Sequence, residues 1–296
     1  MAGGGTVSFV NNESEDFVKD TEERERAGTP GVLQTLRASL ALELKGSIGI
    51  QRIETREQCF LKVAFEKWSK HERIEILGPP LEKERIAIIS FNIKGPDRKW
   101  IHPKLVAKLL NDLFGIQSRA GCSCAGPYGH KLLGVDACMS NTLRKHINDG
   151  FGGLKLGWCR IGFHFIHDEH EIEFICNAVL FLAEYGVLFI PLYEFDVSSG
   201  SWTFKKETIS SLQPHNHVSK FGIAEAIKTS AKNQTAVPLS TKMRCELYRS
   251  YLKQATRYVD TLKQHVVQEK KPGNLSEGSD PIEFAANWYY LPPQTV

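Results

Sequence analysis

The chain has 296 residues, of which 42% are hydrophobic and 24% charged, and its formal net charge is +3. These values are typical of a soluble globular protein, and the nearly balanced charge gives no reason to expect a nucleic acid or an anionic membrane as partner. No apolar run reaches the roughly 18 residues of a membrane span, and the N-terminus lacks the features of a secretory signal. We therefore expect a cytoplasmic protein, with an organelle matrix as the alternative.

The cysteines indicate reduced thiols rather than a disulfide framework, because their number is odd and their spacing irregular. They occupy positions 59, 122, 124, 138, 159, 176 and 245. Cys122 and Cys124 are too close for a zinc-binding pair, and no second pair follows. Three histidines straddle a predicted strand–helix junction, where polar groups near a helix start explain them better than a metal: His164, His167 and His170.

The first part of the chain predicts helices. Residues 1–27 are rich in glycine and then in charge, and Gly28 is followed by Thr29 as helix cap and Pro30 as first helical residue. Four leucines then recur at helical spacing: Leu33, Leu36, Leu40 and Leu44. The residues at 45–47 interrupt this pattern, and a second helix is expected over 48–70.

The middle of the chain predicts a sheet covered by helices. Strands are expected over 73–77, 85–93 and 155–165, because these runs are apolar or alternate in polarity. A short strand is also expected at 116–117, after a helix stop and before the cysteine-containing stretch. Helices are expected to begin at His102-Pro103 and at Asp168-Glu169. This order predicts an α/β fold of the α+β kind: a small, mainly antiparallel sheet with packed helices.

The last third of the chain has a different character. Residues 187–191 are apolar, 198–234 are polar and predicted to be loop, and 270–296 are predicted to be an extended tail that docks aromatic residues on the body. A long amphipathic helix lies between them, marked by Met243, Leu247, Tyr251, Ala255, Tyr258, Leu262 and Val266.

The stretch 118–129 is the best candidate for chemistry. Three glycines, a proline and two cysteines in twelve residues predict a loop with unusual backbone dihedrals. Cys124 lies five residues after Arg119, and a thiolate near a cation is a good nucleophile. The alternative is that Cys122 and Cys124 are small, partly buried loop residues without a chemical role.

With these elements placed, the sequence resembles the class V aminotransferase family of fold type I pyridoxal-phosphate (PLP) enzymes, and within it cysteine desulfurases and selenocysteine-lyase-like members. Four stretches carry the resemblance: a glycine turn at 3–7, the Gly-Thr-Pro helix start at 28–30, the RAGCSCA loop at 119–125, and the Trp-Cys-Arg strand at 158–160. Their order and spacing agree across roughly residues 3–186. The implied fold is the C-terminal small domain of such an enzyme.

The resemblance implies a role for five residues. Cys124 takes the position of the desulfurase nucleophile, which accepts sulfur as a persulfide, and Arg160 takes that of the arginine that binds the substrate α-carboxylate. Arg119 would help to set the charge around the loop. Thr6 and Thr29 correspond to groups near the cofactor phosphate of the partner subunit. The alternatives are a surface arginine on an edge strand for Arg160 and a solvated loop charge for Arg119.

The resemblance also implies PLP, which needs a lysine for its Schiff base. In the family this lysine follows a histidine and precedes the glycine turn, whereas the lysine here before Gly28 is Lys19, which lacks that context. The pair His130-Lys131 falls on the wrong side of the cysteine loop. We therefore expect that this chain does not hold PLP covalently. It also departs from the family at Arg26, often a glutamate, and at Cys122 and Ser123, often histidines in desulfurases.

The expected organisation is an end of the large PLP domain with its linker at 1–47, the small domain at 48–192, and a loop, long helix and tail at 193–296. The first functional hypothesis is the C-terminal part of a desulfurase-like PLP enzyme acting on an amino acid such as cysteine, inactive as an isolated chain. The second is a non-catalytic interaction or dimerisation module, and the third a transaminase-like relative. Either a homodimer or pairing with a complete subunit is expected.

Overall fold

The computed structural model describes residues 3–81, 85–205, 239–265 and 280–292. Most of the predicted loop at 198–234 and the first part of the predicted tail lie outside these residues. The chain forms two compact units, Met1–Thr55 and Arg56–Val296.

The first unit is a short hairpin followed by helices. Strand β1 (Val7–Val10) pairs antiparallel with β2 (Glu15–Phe17), and helix α1 (Thr21–Glu25) follows. Helix α2 (Val32–Ile48) then begins after Gly31 as its N-cap, so the predicted cap at Thr29 was wrong by two residues. Pro30, predicted as the first helical residue, therefore lies before the helix, and Gly31 has no side chain that could cap it.

Helix α2 continues through the predicted interruption at 45–47 and ends at Gly49. The φ of Gly49 is 94°, a conformation that favours glycine. The helix therefore ends before Gly49 and not at Gly46. None of the residues of α2 is buried. Its leucines are 54–73% exposed: Leu33, Leu36, Leu40, Leu42 and Leu44.

The second unit is built on a four-stranded sheet. Its strands are β3 (Ile74–Leu77), β4 (Ile88–Ile93), β5 (Arg119–Gly121) and β6 (Trp158–Gly162). They lie in the order β3-β4-β6-β5, and every neighbouring pair is antiparallel. The predicted small antiparallel sheet is therefore confirmed.

Three helices form the core of this unit with one face of the sheet: α3 (Ile50–Trp68), α4 (Pro103–Phe114) and α7 (Glu169–Tyr185). Trp68 at the end of α3 is fully buried, and its ring lies 5.2 Å from that of Phe91 on β4. The Trp68 indole also donates a hydrogen bond to the carbonyl of a residue in α7. These contacts join the helices to the sheet.

Two helix starts read from the sequence are confirmed. The imidazole of His102 accepts a hydrogen bond from the N–H of Lys104 at the start of α4, and Asp168 accepts one from the N–H of Glu171 in α7. The 24 residues Glu169–Leu192 are long and apolar enough to cross a membrane, unlike our expectation from the sequence. Since 61% of their most apolar stretch is buried in this unit, they are explained as a core helix.

The predicted loop at 118–129 was wrong at both ends, since β5 occupies 119–121 and helix α5 (Gly126–Leu132) begins inside it. Helix α6 (Ala137–Asn148) was not predicted either. Asp136 caps α6 by accepting a hydrogen bond from the N–H of Met139. The buried side of α6 is narrow, with Leu143 and His146 its buried residues. That narrow side explains why the apolar periodicity was too weak to read.

The last third of the chain adds a hairpin and two helices. Strands β7 (Tyr193–Asp196) and β8 (Ser201–Phe204) pair inside a stretch whose end was predicted to be loop. The predicted long helix is confirmed as α8 (Thr241–His265). The tail is not extended throughout, since α9 (Pro281–Trp288) is helical.

The docking of the tail by its aromatic residues is confirmed. The N–H of Trp100 donates to the carbonyl of Trp288 at 2.8 Å, and the N–H of Tyr290 donates to the carbonyl of Trp100 at 3.1 Å. The Tyr289 ring is buried, with its centroid 4.6 Å from that of His102.

Candidate functional site

The sheet of the second unit has one apolar face and one mixed face. Because side chains alternate along a strand, Phe91 and Cys159 lie in the core with the helices, whereas their neighbours lie on the other face. We call this other side the polar face. It carries Ser90 and Asn92 of β4, Trp158 and Arg160 of β6, and Arg119 of β5.

The polar face places two arginines side by side. Arg119 is the cross-strand partner of Arg160, and Arg160 is paired on its other side with Ser90. Neither guanidinium has an ion pair or side-chain hydrogen bond within the described part of the chain. Like charges on directly opposed residues, about 5 Å apart at Cβ, are destabilising. An anion between the two side chains would relieve that repulsion.

A buried amide, which the sequence analysis missed, belongs to the same face. Asn92 is only 2% exposed, and neither its side-chain oxygen nor its nitrogen has a hydrogen-bond partner among the described residues. A buried polar group normally has such a partner. The signal was present in the sequence, since Ser90 and Asn92 are polar residues at period two inside the apolar strand β4.

The cysteine loop is a tight turn directly after β5. The N–H of Ala125 donates to the carbonyl of Cys122 at 3.0 Å, and the two residues between them, Ser123 and Cys124, have φ angles of 53° and 62°. Positive φ at both central positions is a feature of a type I′ turn and is costly for residues other than glycine. The predicted unusual backbone is therefore confirmed. The Cys124 side chain is exposed, and that of Cys122 is partly buried.

The loop begins at a close approach between two backbones. A Cβ on Gly157 would lie 2.5 Å from the carbonyl carbon of Gly121, so only glycine fits beside this part of the loop. Gly121 is also the cross-strand partner of Trp158, two residues from Arg160 on β6. Cys124 follows Gly121 by three residues, which span at most roughly 10 Å of chain.

The thiol of Cys159, next to Arg160, is not a competing nucleophile. Its side chain is 1% exposed, and burial raises its pKa to about 11, although it donates a hydrogen bond to the Ser118 hydroxyl. A protonated buried thiol is inert. Burial likewise raises the pKa of Cys176 to about 12. The Cys124 thiol, in contrast, is exposed.

The two threonines lie in the first unit. The Thr6 hydroxyl is buried and donates to the Gly3 carbonyl at 2.8 Å while it accepts from the Gly3 N–H at 2.9 Å. Its hydrogen-bonding capacity is thus largely used inside the turn. Thr29 is exposed. The glycine turn and the Gly-Thr-Pro segment are joined by a hydrogen bond from the Gly28 N–H to the Gly4 carbonyl at 2.8 Å.

Two of the three histidines contact backbone N–H groups of their own turn. The ring nitrogen Nδ1 of His167 lies 3.2 Å from the backbone nitrogen of His164, and Nδ1 of His164 lies 3.4 Å from that of Ile166. Across the described ranges, no group of three histidine, cysteine or acidic side chains is placed to hold a metal ion.

Among the described residues, the side chains that the motifs suggested for PLP do not fit the cofactor. Lys19 is an exposed side chain at the end of β2, and Thr6 has its hydroxyl committed to Gly3. His130 and Lys131 lie on α5, where His130 is partly buried and Lys131 exposed.

Comparison with known proteins agrees with the motifs on this sheet. The model of the family Aminotransferase class-V matches residues 1–175. A cysteine desulfurase of Haloferax volcanii is 29% identical over 137 residues, which are 46% of this chain and 30% of the relative. A probable cysteine desulfurase of Staphylococcus aureus is 34% identical over 125 residues, or 42% of this chain and 28% of the relative. The chain belongs to the class V aminotransferase family.

A solved structure is similar over a larger share of the chain. The apo structure of the cysteine desulfurase from Thermococcus onnurineus NA1 is 27% identical, with a TM-score of 0.46, and the match covers 62% of this chain and 39% of that one. The chain spans less than a third of the length of the two curated relatives.

Proposed function

We propose that the polar face and the cysteine loop are the amino-acid-binding and sulfur-accepting part of a PLP-dependent, cysteine desulfurase-like enzyme. The unpaired arginines Arg119 and Arg160 carry this proposal. We keep residues 48–192 as the small domain, with 1–47 and 193–296 on either side. PLP, when bound, supplies the electron sink for chemistry at the substrate carbon. Its lysine is not assigned to this chain, so we propose that the isolated chain is inactive.

Arg160 would bind the α-carboxylate of the substrate. A guanidinium presents parallel N–H donors that match the two oxygens of a carboxylate, and such charged hydrogen bonds are stronger than neutral ones. Arg119, on the neighbouring strand, would add its charge to the same anion. A bound carboxylate would thus convert a repulsive pair into a stabilised cluster.

Cys124 would accept sulfur from the substrate. Its thiol is exposed in a turn that directly follows β5, and β5 is paired with β6, the strand that carries Arg160. Strained backbone of this kind is concentrated at active sites and ligand clamps. The product on this chain would be a persulfide at Cys124, from cysteine as substrate.

A specific observation favours a second candidate, an interaction module that pairs with another subunit. Helix α2 has five leucines at 54–73% exposure, and exposed apolar patches of this kind mark protein interfaces. In this case the chain would copurify with a complete relative, or it would form a homodimer. The third hypothesis, a transaminase-like relative, differs from the first in needing no thiol.

Titration of the purified chain with L-alanine, followed by NMR, tests the carboxylate site without the cofactor. We expect Arg160→Gln to weaken binding at least tenfold, because a charged hydrogen bond contributes about 1.5–3 kcal/mol and 1.4 kcal/mol is tenfold in affinity. Arg98→Gln is the control, since this arginine lies outside the polar face. Equal affinities of the wild type and Arg160→Gln would overturn the assignment.

In an active form that includes a cofactor-binding region, Cys124→Ala separates desulfurase from transaminase. We expect it to abolish sulfur transfer from L-cysteine while carboxylate binding is retained. Cys138→Ala, which changes another exposed cysteine, should leave transfer intact. Unchanged sulfur transfer in Cys124→Ala would overturn the role of Cys124, whereas an active form that transaminates without any sulfur transfer would favour the transaminase hypothesis.

A further inference from the structure

A cavity lies between the cysteine loop, α5 and α6. Its volume is about 400 Å³, within the range of small-molecule sites. Its lining includes Cys122 but not Cys124. The two cysteines of one turn therefore have different surroundings, and only the first is in contact with this space.

The floor of the cavity is apolar. Leu133, Leu143 and Leu156 line it and are buried in a hydrophobic cluster that also contains Trp158. An apolar floor stabilises a ligand that carries a hydrocarbon body, because apolar surface leaves water when the ligand binds.

The rim of the cavity is cationic. Arg144 on α6 and Lys155, shortly before β6, both line the cavity and are exposed. Neither has an acidic partner among the residues that the structure describes. Two unpaired cations at one mouth favour an anionic group on the ligand.

We propose that this cavity binds a small anionic thiol, the acceptor of the sulfur, and that Cys122 passes sulfur to it. This inference rests on the proposed role of Cys124. The thiolate of Cys122 attacks the outer sulfur of the Cys124 persulfide, a new S–S bond forms, the old one breaks, and Cys124 leaves as thiolate. The acceptor thiolate then attacks the outer sulfur on Cys122, which leaves as thiolate and yields the acceptor persulfide.

Both steps are thiol–persulfide exchanges that need no external oxidant or reductant, since one S–S bond replaces another. The turn keeps the two cysteines close, because they are its first and third residues and two residues span at most roughly 7 Å of chain. The hydrogen bond between Ala125 and Cys122 holds the two ends of this turn together.

The rate of mixed-disulfide formation tests the ligand class on the chain as it exists. The reduced protein is treated with 3,3′-dithiodipropionate, which is anionic, with cystamine, which is cationic, and with 2-hydroxyethyl disulfide as neutral reference. Peptide mapping by mass spectrometry gives the rate at Cys122. The rate of each charged reagent is divided by the rate of the neutral one. We expect this relative rate to be at least tenfold higher for the anionic reagent than for the cationic one.

The double variant Arg144→Gln/Lys155→Gln should reduce this preference at least fivefold. Lys145→Gln is the matched control, because Lys145 is an exposed lysine on the same helix that does not line the cavity. Equal rates for the anionic and cationic reagents, or a preference that survives the double variant, would overturn the ligand class.

The transfer step is tested after the thiols are loaded with inorganic polysulfide. We expect sulfur to pass to 3-mercaptopropionate faster than to cysteamine, and Cys122→Ser to remove this difference. An unchanged difference in Cys122→Ser would overturn the role of Cys122. Neither assay uses L-cysteine, PLP or Arg160, so their failure would leave the proposed function to its own test.

Discussion

The two faces of the four-stranded sheet differ although the same strands build both. On the helix side, Phe91 and Cys159 are buried among apolar neighbours, and the core is closed. On the polar face, Arg160 and Arg119 are opposed without a partner, and Asn92 is buried without a hydrogen bond among the described residues. The comparison teaches that the helix side is closed by apolar packing, whereas the other side combines the buried Trp158 with polar and charged groups that lack partners among the described residues.

The largest effect should come from the closed face. Trp68→Ala removes a fully buried indole that packs on Phe91 and donates to the Cys176 carbonyl. We expect a loss of about 4 kcal/mol in the free energy of unfolding, as for other buried Trp→Ala changes. Urea denaturation followed by circular dichroism measures it. A loss below about 1 kcal/mol would contradict the assignment of this face as the core.

The second effect is a pH dependence at His102. Burial lowers the pKa of this imidazole to about 4, and its Nε2 contacts the Gly153 carbonyl. The unfolded chain therefore binds more protons between about pH 6.5 and 4, so stability is full above that window and falls by about 3 kcal/mol as the pH falls through it.

Comparison of His102→Asn with the wild type isolates this effect, because Asn retains the capping oxygen. We expect the variant to lose less stability than the wild type between pH 7 and 4, while His164→Gln, an exposed control, behaves as the wild type does. Parallel pH profiles of wild type and His102→Asn would contradict a buried neutral imidazole.

A third substitution should raise the stability of the protein instead of lowering it. Asn92→Leu replaces a buried amide that lacks a partner by an apolar side chain of similar branching, and we expect a gain of roughly 1 kcal/mol in stability. The control is Asn177→Leu, where the amide oxygen accepts from Lys67 and stability should fall. If Asn92→Leu is destabilising by thermal denaturation, then the Asn92 amide has a partner in the folded state.

The smallest expected change in stability tests whether the two opposed arginines repel each other. Arg119→Gln removes one of two opposed like charges, so we expect stability to rise by a few tenths of a kcal/mol at low ionic strength. The gain should shrink in 1 M salt, where screening is strong. Chemical denaturation at both salt concentrations measures it. A destabilised variant would show that Arg119 has a favourable partner in the folded chain.

The sequence predicted the sheet and its helices because those residues carry strong local signals. His102-Pro103 and Asp168 cap their helices as expected, and the strand with Arg160 alternates between two faces. The narrow apolar side of α6 and the helical α9 were missed, since packing rather than periodicity determines them.

The candidate site was predicted only in part. The loop composition pointed to Arg119 and Cys124 and the resemblance added Arg160, but strand register decides that the two arginines face each other. That register joins two strands that are distant in the chain, so it could not be read from either strand alone. The cavity beside Cys122 was not predicted either, because it depends on how α5 and α6 pack.

The measurement that tests the central claim most directly is trapping of L-cystine at Cys124. The thiolate of Cys124 forms a mixed disulfide with one cysteine half and releases the other, and cystamine serves as the matched reagent without carboxylates. We predict that cystine reacts faster than cystamine at Cys124, and that Arg160→Gln reduces this preference at least tenfold. Equal rates for the two reagents, or a preference that Arg160→Gln leaves intact, would contradict a shared site for the thiol and the carboxylate.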